Sequence, residues 1–248
     1  MSSHLHRFFV QPSQIRDGRI TILNPDARQI RTVLRLKIGD DIAVLDGSGN
    51  CYQCRIDEIG KEEISATVFE VCTLSTEPEV YLTLAQGLPK GEKYSLIIQK
   101  GTELGISEFI AVACARSISK VTDNTGKYDR WMRIAKEAAE QCGRSKVPVL
   151  SGVESFVRIV ERIKEYDLSI IAWEEETKVK LSDVLKRNKT AKRVLLFIGP
   201  EGGFTKEEVD AATQAGAVSV SLGKRILRTE TAAIAASTMV FYELQGEL

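Results

Sequence analysis

The sequence has few of the features that mark a secreted, membrane or metal-binding protein. Its 248 residues include five cysteines and two histidines, and an odd cysteine count is not typical of a disulfide framework. No stretch approaches the roughly 18 consecutive apolar residues of a membrane-spanning helix. His4, His6 and Arg7 stand where a signal peptide would carry an apolar run. We therefore expect a cytoplasmic protein with no membrane partner and no metal.

Common signatures of nucleotide and hydrolase chemistry are also missing. One G-x-G, at residues 47–49, lacks a third glycine in register, and the Gly223-Lys224 pair lacks the earlier glycine of a P-loop. A G-x-S-x-G nucleophile elbow is absent. Dinucleotide-dependent hydride transfer, NTP hydrolysis and serine-hydrolase chemistry are therefore disfavoured. Cys51 and Cys54 form a single C-x-x-C with no second pair, which favours small buried side chains over metal ligands.

The charges balance overall but are unevenly distributed. The chain carries 34 Lys+Arg and 34 Asp+Glu, so its formal net charge is zero. Residues 1–37 hold seven basic against two acidic side chains, whereas residues 40–80 hold ten acidic against two basic ones. Nucleic-acid binding needs a basic face rather than a basic protein. The N-terminal stretch can therefore contact a polyanion although the whole chain is neutral.

Two kinds of pattern divide the chain near Pro78. Before it, short alternating apolar runs broken by turn residues indicate hairpins of a small β domain. After it, predicted strands and helices alternate, and the strands at 168–173 and 194–198 are nearly continuous apolar runs, as in parallel strands covered on both faces. The sequence therefore predicts a β domain at residues 1–73, followed along the chain by an α/β fold with a parallel sheet at residues 77–248.

A glycine-rich loop is predicted at residues 199–204, after the strand at 194–198. Thr205 and Glu208 form a capping box, and Phe204 with Val209 fits a hydrophobic staple, so a helix begins at a defined point. Open α/β sheets bind ligands at the carboxyl ends of their strands, and glycines allow a ligand to approach the backbone. The loop is a candidate ligand site, with an ordinary strand-to-helix turn as the alternative.

A basic segment follows the next predicted strand, at residues 222–231. Lys224, Arg225 and Arg228 lie there beside exposed apolar residues, ahead of a helix whose predicted cap is Thr229. Three cations near a ligand loop favour an anionic substrate, and a solvated charged turn is the alternative. Glu137, Gln141 and Arg144 share one face of another predicted helix, where a salt-bridged surface is the simpler interpretation.

Five motifs in this order resemble the RsmE family, bacterial methyltransferases of the SPOUT superfamily that modify N3 of a uridine in 16S ribosomal RNA. They are Arg7-Phe8-Phe9, residues 86–93 followed by 99–105, residues 137–144, residues 199–204 and residues 222–232. The resemblance spans nearly the whole chain. It implies a SPOUT domain with a trefoil knot, a PUA-like β-barrel that helps to hold RNA, a homodimer, and a 16S rRNA or 30S subunit partner.

The resemblance further implies that S-adenosylmethionine binds at the glycine-rich and basic loops. The cofactor-binding residues expected from it are Trp173, Glu174, Ile198, Gly199, Pro200, Glu201, Gly202, Gly203, Leu222, Gly223, Ile226, Leu227, Thr231 and Ala232. Such a donor needs an apolar slot and backbone hydrogen bonds, which these loops can supply.

Methylation of uracil at N3 requires loss of the N3 proton, and the resulting negative charge spreads onto the ring oxygens. A nearby cation should stabilise the transition state, and Arg228 is the candidate, with Glu201 or Glu230 as the proton acceptor. Phosphate contacts are expected from Arg7, Arg31, Arg35, Lys90, Lys93, Arg144, Lys224 and Arg225. Methylation of another RNA and a non-catalytic RNA-binding role are the alternatives.

Overall fold

The computed structural model describes residues 5–73, 76–117 and 125–246. The chain forms two compact units. The N-terminal unit comprises Met1–Glu77 with Ala139–Val147, and the C-terminal unit comprises Pro78–Ala138 with Pro148–Leu248. The sequence predicted one boundary near Pro78. The structure differs, because Ala139–Val147 also belongs to the N-terminal unit.

The N-terminal unit is built on a six-stranded sheet with strand order β1-β4-β5-β6-β3-β2. Its elements are β1 (Arg7–Phe9), β2 (Ile15–Arg16), β3 (Arg19–Leu23), α1 (Asp26–Arg28), a π-helical segment (Gln29–Leu34), β4 (Asp41–Leu45), β5 (Asn50–Ile59) and β6 (Glu63–Thr73), with a 3-10 turn at Pro12–Gln14. Neighbouring strands are antiparallel except for β1 and β4. This arrangement agrees with the hairpin pattern of the sequence.

Alternating apolar residues give this sheet its buried face. Ile20 and Ile22 of β3 and Ile64 of β6 are fully buried in one hydrophobic cluster, in which Cys54 also lies. Cys51 is buried as well, so the expectation of small buried side chains is confirmed for this pair. Burial raises the pKa of the Cys54 thiol to about 12, which leaves it protonated and unreactive at neutral pH.

The C-terminal unit alternates strands and helices. Its elements are β7 (Tyr81–Gly87), α2 (Lys93–Leu104), β8 (Glu108–Ala113), α3 (Thr125–Cys142), β9 (Val149–Ser155), α4 (Phe156–Glu161), a 3-10 turn (Ile163–Glu165), β10 (Leu168–Ala172), α5 (Leu181–Arg187), β11 (Arg193–Ile198), α6 (Lys206–Gln214), β12 (Val218–Val220) and α7 (Thr229–Gln245). The last turn of α3 belongs to the N-terminal unit. Within the described ranges, every helix is too short or too polar to cross a membrane.

The strands of this unit form one parallel sheet in the order β12-β10-β11-β7-β8-β9. The apolar residues of β10 and β11 are buried because helices cover both faces, so the predicted α/β fold is confirmed. From β7 the chain adds β8 and β9 on one side of the sheet, and it then crosses over to place β10, β11 and β12 on the other side of β7. The direction of strand addition therefore reverses between β7 and β11. Ligands of open α/β sheets bind at such switch points. The trefoil knot stays a prediction.

A buried ion pair joins two segments of the N-terminal unit. The Arg144 side chain is 5% exposed, and its Nη2 donates to Glu77 Oε2 at 2.6 Å. Glu77 Oε1 also accepts from the backbone N–H groups of Ser145 and Lys146, at 3.1 and 3.0 Å. Arg144 was expected to contact RNA, but its guanidinium is buried against this carboxylate. We therefore assign it a structural role in place of the expected RNA contact.

We predict that Glu77→Ala lowers the free energy of unfolding by about 3–5 kcal/mol, because a buried charged group loses its counterion. The matched control is Glu79→Ala, two residues away, since Glu79 makes an exposed pair with Lys192 and such pairs contribute little. Urea unfolding followed by circular dichroism measures both. Equal shifts of the two variants would contradict the structural role of the Glu77–Arg144 pair.

Candidate functional site

A cavity of about 550 Å³ opens at the carboxyl ends of β10, β11 and β12. Its walls come from the loops that follow these three strands and from the first turns of α2 and α7. The lining residues are Lys93, Ala172, Trp173, Glu174, Ile198, Gly199, Pro200, Glu201, Gly202, Gly203, Ser221, Leu222, Gly223, Lys224, Arg225, Ile226, Leu227, Arg228, Thr229 and Ala232. The structure therefore brings both predicted loops to one cavity.

The end of the glycine-rich loop is fixed by the capping box. Thr205 Oγ1 accepts from the Glu208 N–H at 3.2 Å, and Glu208 Oε2 accepts from the Thr205 N–H at 2.9 Å. Phe204 and Val209 are both buried, as a hydrophobic staple requires. The predicted cap is confirmed, and α6 begins at Lys206.

Glycine is required in this loop at Gly203. Its φ is +68°, and a Cβ there would collide with Glu174 Oε1. Gly202 has no such backbone strain, and a Cβ there would lie 3.1 Å from the Cβ of exposed Arg116. Gly203 is thus the glycine whose conformation shapes the cavity wall.

The carbonyl groups of the glycine-rich loop are held by protein donors. Arg116 Nη1 donates to the carbonyl oxygens of Gly202 and Phe204 at 3.0 and 3.2 Å. The Gly203 N–H donates to the Pro200 carbonyl at 3.0 Å. The loop is therefore preformed. Arg116 was not among the predicted site residues; the signal that points to it is its position after β8, at the same edge of the sheet.

The start of α7 differs from the prediction. The helix begins at Thr229 with Arg228 as its N-cap residue, and no side chain caps it. The Thr229 hydroxyl instead donates to the Gly199 carbonyl at 2.6 Å and accepts from Gln86 Nε2 at 2.8 Å. The prediction of Thr229 as the cap was wrong because its hydroxyl binds the glycine-rich loop.

A carboxylate of the glycine-rich loop is paired with a lysine of α2. Glu201 Oε1 accepts from Lys93 Nζ at 2.7 Å and from the Lys90 N–H at 3.1 Å. Partial desolvation acts to raise the pKa of Glu201, but the hydrogen bonds from Lys93 and from backbone N–H groups outweigh it, so this pKa lies below its usual value. Glu201 is thus ionised and weakly basic at neutral pH. Lys93, expected to contact RNA, lies in the cavity wall, while Lys90 is exposed.

The basic loop adds positive charge and apolar surface. Lys224, Arg225 and Arg228 are exposed there, and Arg228 makes no ion pair with any described residue. Ile226 between them is 88% exposed although it lines the cavity. Four cations and two carboxylates line the cavity, so its field favours an anionic or electron-rich ligand.

One buried donor in the cavity wall lacks a partner. Trp173 Nε1 is buried and forms no hydrogen bond with the described residues. A buried N–H without an acceptor costs free energy, and Trp173 lines the cavity. The Trp173 ring packs against a hydrophobic core cluster, so this N–H is shielded from solvent.

Two of the predicted catalytic and cofactor-binding residues do not line the cavity. Glu230 and Thr231 lie in the first turn of α7, and neither contributes to the cavity wall. Glu230 Oε2 is buried and makes no hydrogen bond with the described residues, whereas Thr231 is exposed. Helical geometry explains this placement, because Thr229 and Ala232, three residues apart, share the face that meets the cavity.

The remaining predicted RNA contacts belong to the N-terminal unit. Arg7 is partly buried, and Arg35 is exposed after the π-helical segment. Arg31 Nη1 donates to the carbonyl oxygens of Gly60 and Lys61, each at 2.7 Å. Arg31 is thus already engaged with the backbone, whereas Arg35 is the most accessible of the three.

Known families match most of the chain. Residues 76–241 match the family described as RNA methyltransferase domain, and residues 24–69 match the RNA methyltransferase PUA domain. The second match supports a PUA-like domain in the N-terminal unit.

Relatives match along nearly the full length. Ribosomal RNA small subunit methyltransferase E from Bacillus subtilis (strain 168) is 35% identical, covering 97% of this chain and 98% of the relative. A methyltransferase from Legionella pneumophila with bound SAM has a TM-score of 0.87 at 28% identity, covering 96% of this chain and 97% of its own. Ribosomal RNA small subunit methyltransferase E from Neisseria gonorrhoeae, bound to S-adenosyl methionine, has a TM-score of 0.82 at 28% identity, covering 94% and 95%. This chain therefore belongs to the ribosomal RNA small subunit methyltransferase E family and is an RNA methyltransferase.

Proposed function

We propose that the protein transfers a methyl group from S-adenosylmethionine to N3 of a uridine in 16S rRNA of the small ribosomal subunit, in the cytoplasm. The observation that carries the proposal is the cavity, in which a preformed glycine-rich loop meets a basic loop whose Arg228 makes no ion pair with a described residue. The full-length similarity to ribosomal RNA small subunit methyltransferase E supports the same reaction.

The cavity fits S-adenosylmethionine in size and chemistry. Its volume of about 550 Å³ lies within the roughly 300–1,000 Å³ of ligand pockets. Apolar side chains such as Ile198, Leu222 and Leu227 line it, and Gly203 keeps the wall clear of a side chain. The residues that would hold the cofactor are Trp173, Glu174, Ile198, Gly199, Pro200, Glu201, Gly202, Gly203, Leu222, Gly223, Ile226, Leu227 and Ala232. When bound, this cofactor supplies an electrophilic methyl group.

Arg228 is proposed to stabilise the reacting uracil. As N3 loses its proton to solvent water, negative charge grows on the ring oxygens, and the positive charge of a guanidinium beside them lowers the energy of that charge. Lys93 is less suited because Glu201 already pairs with it at 2.7 Å. Of the three exposed cations of the basic loop, Arg228 is chosen because it directly precedes Thr229, whose hydroxyl is bonded to the glycine-rich loop.

Glu201 is proposed to hold Lys93 and the first turn of α2 rather than to take the N3 proton. Its lowered pKa makes it a poor base, and Glu230 lies outside the cavity wall. A pH–rate profile tests this role, because Glu201→Gln should slow the enzyme without changing the shape of the profile. Loss of one limb of that profile would identify Glu201 as the base.

RNA binding is proposed to use both parts of the chain. Residues 1–73 would act as an RNA-holding domain, with Arg7 and Arg35 as phosphate contacts, and residues 77–248 as the catalytic domain. Lys90, Lys224 and Arg225 are exposed near the cavity and would add contacts there. Charge–phosphate contacts of this kind make affinity fall with salt, which titration at several salt concentrations measures.

A homodimer is also proposed. Leu96 of α2 and Met239 and Tyr242 of α7 are 40%, 43% and 62% exposed, and α2 packs against α7. Large exposed apolar side chains on adjacent helices are typical of an interface. Light scattering of the purified protein distinguishes a dimer from a monomer.

The decisive experiment measures methyl transfer from labelled S-adenosylmethionine to 30S subunits and to free 16S rRNA. Both substrates come from cells that lack the endogenous enzyme, so the target is unmodified. We expect 3-methyluridine in digested RNA, identified by mass spectrometry. Cofactor binding without labelling of either substrate would refute the proposed target.

Arg228→Ala should lower the single-turnover rate about 10²- to 10³-fold, because it removes the group that stabilises the uracil anion. Calorimetry should show a Kd for S-adenosylmethionine within a few fold of wild type. Lys224→Ala in the same loop serves as the control and should weaken RNA binding with little effect on the rate at saturating RNA. An equal loss of cofactor affinity and rate in Arg228→Ala would show that Arg228 acts mainly in cofactor binding.

Gly203→Ala should weaken binding of S-adenosylmethionine by about tenfold or more, because an L side chain is strained in the left-handed conformation of Gly203. Gly202→Ala is the neighbouring control, and its affinity should stay within a few fold of wild type, because its backbone is unstrained and a small shift relieves the 3.1 Å contact with the Cβ of Arg116. Calorimetric titration checks both variants. Similar affinities for the two would show that the left-handed conformation of Gly203 is not what forms the site.

A further inference from the structure

Gln86 is a buried polar side chain at the switch point of the parallel sheet. It lies near the end of β7, pairs in register with Ile198 of β11, and is completely buried. It does not line the cavity. An amide is costly to bury between parallel strands unless its hydrogen bonds are made. Gln86 Oε1 has no hydrogen-bond partner among the described residues, so the contacts of Nε2 indicate what the side chain contributes.

The Gln86 amide nitrogen contacts several oxygens at the boundary of the cavity. Nε2 lies 2.8 Å from Thr229 Oγ1 and 2.9 Å from the Gly87 carbonyl. The carbonyl oxygens of Gly199 and Ile198 lie at 3.3 and 3.4 Å. Since the amide has two hydrogens, the shorter contacts are the principal bonds. Gln86 therefore binds the first residue of α7 directly.

Thr229 extends this connection to the glycine-rich loop. Its hydroxyl accepts from Gln86 and donates to the Gly199 carbonyl at 2.6 Å. The bond from Gln86 sets the direction of the Thr229 hydrogen, because the oxygen that accepts one bond donates the other. Three segments, the end of β7, the glycine-rich loop and the start of α7, are thus joined by two consecutive hydrogen bonds.

Arg228 lies one residue before Thr229 and is the N-cap residue of α7. The Arg228 carbonyl accepts from the Ala232 N–H at 2.8 Å, so its backbone is part of the first helical turn. A shift of Thr229 would consequently move Arg228 relative to the glycine-rich loop. Gly87 reinforces the same junction, since its backbone packs so tightly on Pro200 that a Cβ would collide with it.

We propose that Gln86 is a positioning residue for methyl transfer, which sets Arg228 against the cofactor loop through Thr229. The inference rests on the proposed function of Arg228. Gln86 makes no contact with the substrate in this scheme. Its side chain is long enough to reach Thr229 and supplies an N–H donor without a charge. A carboxylate at this position would have no proton to donate and would face carbonyl oxygens.

Gln86→Met tests the proposal because methionine keeps the length and bulk while it removes the donor. Thr83→Val is the matched control. Thr83 lies on the same strand and is fully buried. Its substitution removes two side-chain hydrogen bonds away from the cavity: the one that its hydroxyl donates to Glu108 at 3.0 Å and the one that it accepts from Tyr166 at 3.1 Å. We expect the single-turnover rate of Gln86→Met to lie at least about tenfold below that of Thr83→Val, although the two variants have comparable melting temperatures. Rates that fall only in proportion to stability would overturn the proposal.

A double-mutant cycle with Arg228→Ala separates positioning from general destabilisation. In the wild-type background, Arg228→Ala should lower the rate about 10²-fold or more. In the Gln86→Met background, Arg228→Ala should lower the rate less than about tenfold, because Arg228 is already misplaced there. The same fold-loss in both backgrounds would overturn the proposal. Thr229→Ser should retain near wild-type activity, whereas Thr229→Val should behave like Gln86→Met.

Hydrogen exchange gives a second measurement that does not depend on activity. The Ala232 amide, bonded to the Arg228 carbonyl, should exchange faster in Gln86→Met than in Thr83→Val. Equal exchange in the two variants would overturn the role of Gln86. A wild-type enzyme that forms no 3-methyluridine would refute the proposed function instead, so the two failures are distinguishable.

Discussion

The parallel pairing of β11 with β7 on one side and β10 on the other is the constraint on which the site depends. It aligns Ile198 with both Ala172 and Gln86, so the loops that follow these strands begin at one level of the sheet. Parallel strands buried on both faces leave such loops only one edge from which to emerge. The cavity depends on this alignment, and its walls are completed by the loop after β12, which pairs with β10, and by the first turns of α2 and α7.

Polar groups near the cavity fall into two classes. Those of the glycine-rich loop are satisfied within the protein, by Thr229, Arg116 and Lys93, and hold the loop in one conformation. Arg228 is exposed in the cavity wall and makes no ion pair with a described residue, so its guanidinium can serve a ligand. The satisfied groups thus hold the loop, and Arg228 keeps its donors for the substrate.

The N-terminal unit follows simpler rules. Alternating apolar residues form its sheet, and its exposed arginines come from the basic stretch at its start. Arg144 shows the limit of interpreting basic residues as RNA contacts, since the half-buried Glu77 carboxylate binds its buried guanidinium although Arg144 follows a polar helix face. Charge in a sequence indicates what a side chain can bind, whereas burial decides what it does bind.

Local information was enough to determine the elements and the loops of this protein. Strands β10 and β11 could be predicted to within one residue of their observed bounds because their apolar runs are nearly continuous, and the Thr205–Glu208 capping box because it involves residues three apart. The family motifs likewise indicated the two loops that line the cavity. The roles of Gln86, Arg116 and Thr229 were decided only by the tertiary structure: Gln86 and Thr229 lie 143 residues apart, and Arg116 and Gly202 lie 86 apart. Hydrogen bonds over such separations exist only after the parallel sheet has aligned its strands, and no local pattern encodes that alignment.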